Sequence, residues 1–236
     1  MSYPQAGNGL SPSAGTVSDV NAHLVWDWNG TLFHDIDVVI EATNASFAEL
    51  GLPPITLDRY RDLYCVPVPL FYERLIGRLL TDAEWEVMDA TFHRHYWSLA
   101  DRCGLAEGAA ELLAARRTAG LTQSLCSLAP HTHLLPMVTS HGIDRHFLRV
   151  DGRVGSSTVG KAAQMARHLA LLDGVEADRV VVIGDALDDA AAAAHVGAYA
   201  VLYTGGSGSR RSLETAGVPV ADTLAEAVEL AERIVR

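Results

Sequence analysis

Short apolar runs that stop abruptly at polar or glycine residues recur along the chain. The first, His23 to Trp28, closes on Asp27, Asn29 and Gly30, the pattern of a buried strand followed by a turn. Leu121 to Ser127 repeats it, as do Arg179 to Ile183, which meets Gly184 and Asp185, and Tyr199 to Tyr203, which meets Thr204 and Gly205. Between these runs, helical patterning predicts helices over Glu107 to Thr118 and Gly160 to Leu172. Strands alternating with helices imply an α/β fold, a parallel sheet of five or six strands with both faces covered. Ligands of such sheets bind outside the carboxyl ends of the strands, where Asp27, Ser127 and Asp185 fall.

Residues 35–102 interrupt the alternation. Val38 to Leu50 and Thr81 to Leu99 carry helical patterns, Thr56-Leu57-Asp58 marks a helix start, and Thr81 with Glu84 has the spacing of a capping box. The expected organisation is an α/β core from 21–34 and 103–236, with an inserted all-α domain of four helices over 35–102. Residues 1–20, rich in Ser, Gly, Pro, Asn and Gln, read as a flexible leader, since they carry too little apolar surface to offset the entropy of ordering.

Composition narrows the function. A formal charge of −11, from 29 acidic against 18 basic residues, argues against a nucleic-acid partner, which needs clustered cations. No run reaches the ~18 apolar residues of a membrane span, and no export signal is evident, so the expectation is no membrane partner. The odd set Cys65, Cys103 and Cys126 has no metal-ligand spacing and suits a reducing cytoplasmic setting. Seventeen of the basic residues are Arg, and Lys161 is the single lysine, so any chemistry that needs an ammonium must use it.

The strand ends carry the chemistry. Asp27, Asp185, Asp188 and Asp189 can meet at one sheet edge and offer the hard oxygen ligands that Mg²⁺ prefers. Lys161 adds a cation, and Thr31 and Ser127 add small hydroxyls. Such a set suits a phosphoryl group, whose charge must be neutralised during transfer.

Asp27-Trp28-Asn29-Gly30-Thr31-Leu32 resembles the first motif, DxDGTL, of the haloacid dehalogenase superfamily. Ser127 fits its second motif, Lys161 its third, and Gly184-Asp185-Ala186-Leu187-Asp188-Asp189 its acidic fourth, in the family's order over about residues 22–235. The insertion is similar to the cap of the phosphoglycolate phosphatase and β-phosphoglucomutase branch. The resemblance implies a Rossmann-like core with a helical cap, and Mg²⁺-dependent hydrolysis of a small phosphomonoester through an aspartyl-phosphate on Asp27. It also implies metal ligation by Asp27, the Asn29 carbonyl, Asp185 and Asp189 with Asp188. Phosphate would be held by Gly30, Thr31, Ser127, Leu128 and Lys161, with Asp27, Asn29 and Lys161 in the catalytic positions. By the same likeness Val66, Val68, Phe71 and Tyr72 belong to a cap loop that selects substrate. The partner would be a small phosphorylated metabolite, and the protein a monomer or homodimer.

One position departs from the family. The second aspartate of the first motif is Asn29 here, and an amide can neither protonate a leaving group nor deprotonate water. A loss on the order of 10²–10⁴ in rate follows unless another group, such as His34 or His131, substitutes. The alternative reading is a weakened relative that binds a phosphate metabolite or a protein partner with little turnover.

Overall fold

The computed structural model describes residues 21–155 and 160–235. The leader 1–20 lies outside the described residues. In chain order the elements are β1 (His23–Trp26), β2 (Phe33–His34), α1 (Ile36–Glu49), α2 (Leu57–Leu63), α3 (Val68–Ile76), α4 (Asp82–Leu99), β3 (Gly104–Leu105) and α5 (Ala109–Thr118). They continue with β4 (Gln123–Pro130), α6 (His131–Ser140), β5 (Val150–Arg153), α7 (Lys161–Leu169), β6 (Val180–Gly184) and α8 (Leu187–His195). The chain closes with β7 (Tyr199–Tyr203), α9 (Arg210–Glu214), β8 (Val220–Ala221) and α10 (Leu224–Val235).

Six strands form one parallel sheet in the order β5-β4-β1-β6-β7-β8. The central strands β1 and β6 are buried along their whole length, as a strand covered on both faces must be. Side chains alternate across the pleat. Leu24, Trp26, Val181 and Ile183 enter the core that contains Leu113, Leu134 and Ala227. Val25, Val180 and Val182 enter the opposite one with Met165, Ala192 and Ala193. The alanine run of α8 lets that helix lie close on the sheet, because methyl side chains hold the backbones only a short distance apart. The parallel α/β fold expected from the alternation is the fold observed.

Helices α1 to α4 have their own apolar centres, around Phe47, Phe71, Tyr72 and Met88 and around Val38, Ala42 and Tyr96. The capping box at Thr81 and Glu84 forms, with Thr81 Oγ1 accepting from Glu84 N and the Glu84 carboxylate accepting from Thr81 N. A two-stranded antiparallel ribbon, β2 with β3, joins this helical unit to the core, and it is too short to leave a periodic signal in sequence.

A buried polar chain ties α7 to the sheet. His23 Nδ1 meets Thr122 Oγ1 at 2.8 Å and Nε2 meets Ser124 Oγ at 2.9 Å. Ser124 Oγ also meets His168 Nε2 at 2.8 Å, and His168 Nδ1 meets Asp151 Oδ2 at 2.8 Å. Burial first, then repulsion from His168 and Arg116, lowers the His23 pKa from 6.5 to about 4. The unfolded chain therefore binds this proton first, so falling pH favours unfolding. The contribution is whole above pH 6.5 and lost by about pH 4, worth about 3 kcal/mol. Urea unfolding followed against pH is expected to show wild type losing this much relative to His23→Gln across that window. Parallel profiles would contradict it.

Candidate active site

The carboxyl edge of the sheet gathers the acidic residues. Asp27 follows β1, Asp185 follows β6, and Asp189 lies in the first turn of α8. One carboxylate oxygen from each lies within 4.8 Å of the others, and all three residues are buried. Lys161 opens α7 opposite them, with Nζ 2.7 Å from Asp27 Oδ2 and 2.5 Å from Asp189 Oδ1. A cation at a helix N-terminus opposes the helix dipole, so these two ion pairs are what hold it there. Asp188 is half-buried on α8 and lies outside the group of three.

Three converging carboxylates, with Asp188 beside them, share one ammonium and leave negative charge in excess. Burial, opposed by Lys161 and reinforced by Asp189, raises the Asp27 pKa to about 7. Asp185 rises well above the usual carboxylate range, through burial and then the charges of Asp27 and Asp189. Asp188 rises to about 6, chiefly by burial and Asp189. For Lys161 burial acts downward, yet Asp189 and Asp27 outweigh it and hold the ammonium well above its ordinary pKa. Asp189 Oδ1 is buried, and its close partner is the Lys161 ammonium at 2.5 Å. Three buried carboxylates that converge within 4.8 Å, with one ammonium to balance them, are the surroundings a divalent cation fits. The cluster could hold a metal.

Small residues let the loops close on Asp185. Gly30 has φ +69°, and a Cβ there would stand 2.3 Å from Asp185 Oδ2. At Gly206 a Cβ would stand 2.2 Å from the same atom. Asp185 Oδ2 accepts from Ser207 N at 2.6 Å, and Oδ1 accepts from Thr31 Oγ1 at 3.3 Å. Thr31 is thus buried against an aspartate. Ser127 is buried near the end of β4, where its Oγ accepts from Ala129 N at 3.1 Å, and Leu128 beside it is half-buried with its carbonyl accepting from Arg153 Nε.

Asn29 sits in a network absent from the sequence reading. Its Nδ2 donates to Asp35 Oδ2 at 2.7 Å and to the Tyr96 hydroxyl at 2.8 Å. Tyr96 donates to Asp35 Oδ2 at 2.7 Å, while Asp35 Oδ1 accepts from Gly30 N at 2.9 Å. A carboxylate cannot accept from an amide oxygen, so this pairing fixes which way the Asn29 amide points. Asp35 is buried, which raises its pKa against the lowering effect of Tyr96, Asn29 and Gly30. Tyr96 lies 67 residues from Asn29 on a helix of the insertion, so only the fold brings them together.

Helix α2 closes over the same edge. Arg61 donates from Nε to Gly206 O at 2.8 Å and from Nη2 to Gly205 O at 3.1 Å, and its carbonyl accepts from Ser209 N. Burial above all pushes the Tyr60 and Tyr64 phenols well above their ordinary pKa, followed by the neighbouring phenols, Tyr72 for Tyr60 and Tyr60 for Tyr64, and by nearby carboxylates that include Asp185. The expected cap loop divides. Val66 and Val68 are exposed, whereas Phe71 and Tyr72 turn into the core of the helical unit, Phe71 edge-on to Tyr60 at 4.8 Å between ring centroids. Their inward packing follows from the apolar face of α3, which an aromatic ring stabilises more by burial than by exposure. His34 is exposed on β2, and His131 Nδ1 accepts from Gly152 N, so neither has contact with Asn29 in the described network.

The family model for haloacid dehalogenase-like hydrolases matches residues 22–197. The chain belongs to this family. Among curated relatives, a plasmid-borne phosphoglycolate phosphatase of Cupriavidus necator is 26% identical over 185 residues, 77% of this chain and 80% of that one. The phosphoglycolate phosphatase of Rhodospirillum rubrum is 27% identical over 194 residues, 78% and 79% of the two chains. Among solved structures, a haloacid dehalogenase-like family protein of Streptococcus pneumoniae superposes with TM-score 0.75 at 17% identity, covering 89% of this chain and 98% of that one. Mycobacterium tuberculosis protein tyrosine kinase A superposes with TM-score 0.74 at 23% identity, over 89% and 98%. These two likenesses speak for the fold alone, which hosts more than one named activity.

Proposed function

We propose that this hydrolase is a phosphatase for a small phosphorylated metabolite, acting through an aspartyl-phosphate on Asp27 with Mg²⁺ as cofactor. The observation that carries the reading is the convergence of Asp27, Asp185 and Asp189 around Lys161 at the carboxyl edge of the sheet. The curated relatives' names point the same way.

Asp27, Asp185 and Asp189, with the main-chain carbonyl of Asn29, would hold the metal. When bound, it neutralises carboxylate and phosphoryl charge and polarises a phosphoryl oxygen. One Asp27 oxygen attacks phosphorus, and Lys161 holds the phosphoryl oxygens while it balances Asp27 and Asp189. Ser127 with the main chain around Leu128, and Thr31 with that around Gly30, complete the phosphoryl cradle. Thr31 Oγ1 turns from Asp185 to reach it. Tyr60 of α2 and Tyr64 at its C-terminal end, packed on Phe71, would help exclude water from that edge, and Val66 and Val68 extend that surface. Asp188 supports the first turn of α8. Among the described residues no helix is long and apolar enough to cross a membrane, and the three cysteines are free, which suits a cytoplasmic enzyme.

Turnover of an aryl phosphate with Mg²⁺ tests the reading, because a good leaving group needs little acid assistance. Wild type is expected to turn over, EDTA to abolish the rate, and Asp27→Asn to be inactive. Retained activity in Asp27→Asn would remove the aspartyl-phosphate from the mechanism.

A further inference from the structure

The pinned amide of Asn29 defines which phosphoryl donors this site can use. Its Nδ2 is held between two partners, Asp35 Oδ2 at 2.7 Å and the Tyr96 hydroxyl at 2.8 Å. Its remaining polar atom, Oδ1, can only accept. Turning the amide over would set an oxygen against the Asp35 carboxylate, so the orientation is held by the donation from Nδ2 that would be lost and the repulsion that would replace it. Tyr96 cannot supply a proton in its place, because its own is directed at Asp35. The position two residues after Asp27 therefore delivers no proton to a departing oxygen and takes none from an attacking water.

We infer that the site takes activated phosphoryl donors, acyl or aryl phosphates whose leaving group departs as a stable anion, and that the phosphoryl group then persists on Asp27. The inference rests on the aspartyl-phosphate reading proposed above. With an acyl phosphate, the Asp27 oxygen forms a bond to phosphorus as the bond from phosphorus to the donor carboxylate oxygen breaks. The carboxylate leaves with its electron pair and needs no proton. One acyl phosphate replaces another, so this step is close to balanced in free energy. An aliphatic phosphomonoester would instead release an alkoxide, which requires the proton that Asn29 lacks. In the second step water attacks phosphorus, the Asp27 carboxylate is regenerated, and the water's proton must pass to solvent or to the departing phosphate. Asn29 Oδ1 can orient that water without deprotonating it, which slows the step by about 10²–10⁴.

The experiment mixes the full-length protein and Mg²⁺ with acetyl phosphate or with 2-phosphoglycolate, and follows intact mass together with acetate and phosphate release. Acetyl phosphate is expected to load one phosphoryl group per chain, with a matching burst of acetate and phosphate release at least about 10²-fold slower than loading. 2-Phosphoglycolate is expected to load far more slowly, and Asp27→Asn not to load from either. Equal loading by the two donors would overturn the inference, as would rapid acetyl phosphate turnover without a phosphorylated chain. Equal loading of Asp27→Asn, or multiple turnover by it, would instead remove the aspartyl-phosphate reading itself.

Discussion

Exchanging the amide and the carboxylate, in the double variant Asn29→Asp with Asp35→Asn, is expected to raise turnover of an aliphatic phosphomonoester such as 2-phosphoglycolate by about 10²–10⁴-fold, the value of a positioned acid and base. Every contact of the network has a counterpart after the exchange. The amide at 35 can accept from Gly30 N and donate to the carboxylate at 29, and Tyr96 can turn its proton to that carboxylate, preserving the separations of 2.7 to 2.9 Å. Asn29→Asp alone is expected to gain much less. It places two carboxylates at hydrogen-bonding distance in a buried site, where they cannot both ionise and must share a proton. Steady-state kinetics at neutral pH on wild type, both single variants and the double variant form the cycle that measures this. A single Asn29→Asp as active as the double would show that Asp35 does not control the position.

Lys161→Met is expected to abolish phosphoryl transfer and to destabilise the metal-free protein by about 3–5 kcal/mol, the usual consequence of removing one partner from a buried ion pair. Lys161 is the only cation in contact with Asp27 and Asp189 among the described residues, and Asp189 is wholly buried. Without the ammonium, Asp27, Asp185 and Asp189 face one another unbalanced. Urea unfolding with EDTA measures the loss, and added Mg²⁺ should restore a larger share of stability to the variant than to wild type. A variant as stable as its parent in EDTA would mean that the aspartates are already neutral and that the ion pairs contribute little.

Much of the fold was readable from local pattern. Leu24 to Trp26 and Val180 to Ile183 are apolar throughout because both faces of a central parallel strand are buried, and that property survives in a linear reading. Asp27, Asp185 and Lys161 were legible for a related reason: each stands where an apolar or helical run begins or ends, and such boundaries are marked by residue type. Element ends shifted by a few residues, as at β4, which runs to Pro130, beyond the Ser127 boundary that composition suggests. Phe71 and Tyr72 were less legible, since an aromatic beside a loop has the same local signature whether it turns toward substrate or, as here, into the helical core.

The partners of Asn29 left no such mark. Asp35 reads as the first residue of an insertion, and Tyr96 as one aromatic among several on α4; their meeting depends on how α4 returns beside the loop after β1. The same is true of Arg61, whose guanidinium reaches the carbonyls of Gly205 and Gly206 across 144 or more positions. Periodicity and strand ends are short-range properties, written by what a residue's immediate neighbours bury. Hydrogen bonds between distant segments depend on the register in which whole elements dock. The residue types therefore announce an acidic cluster with one ammonium at the sheet edge, while the packing of the helical unit on the core sets the direction of the Asn29 amide.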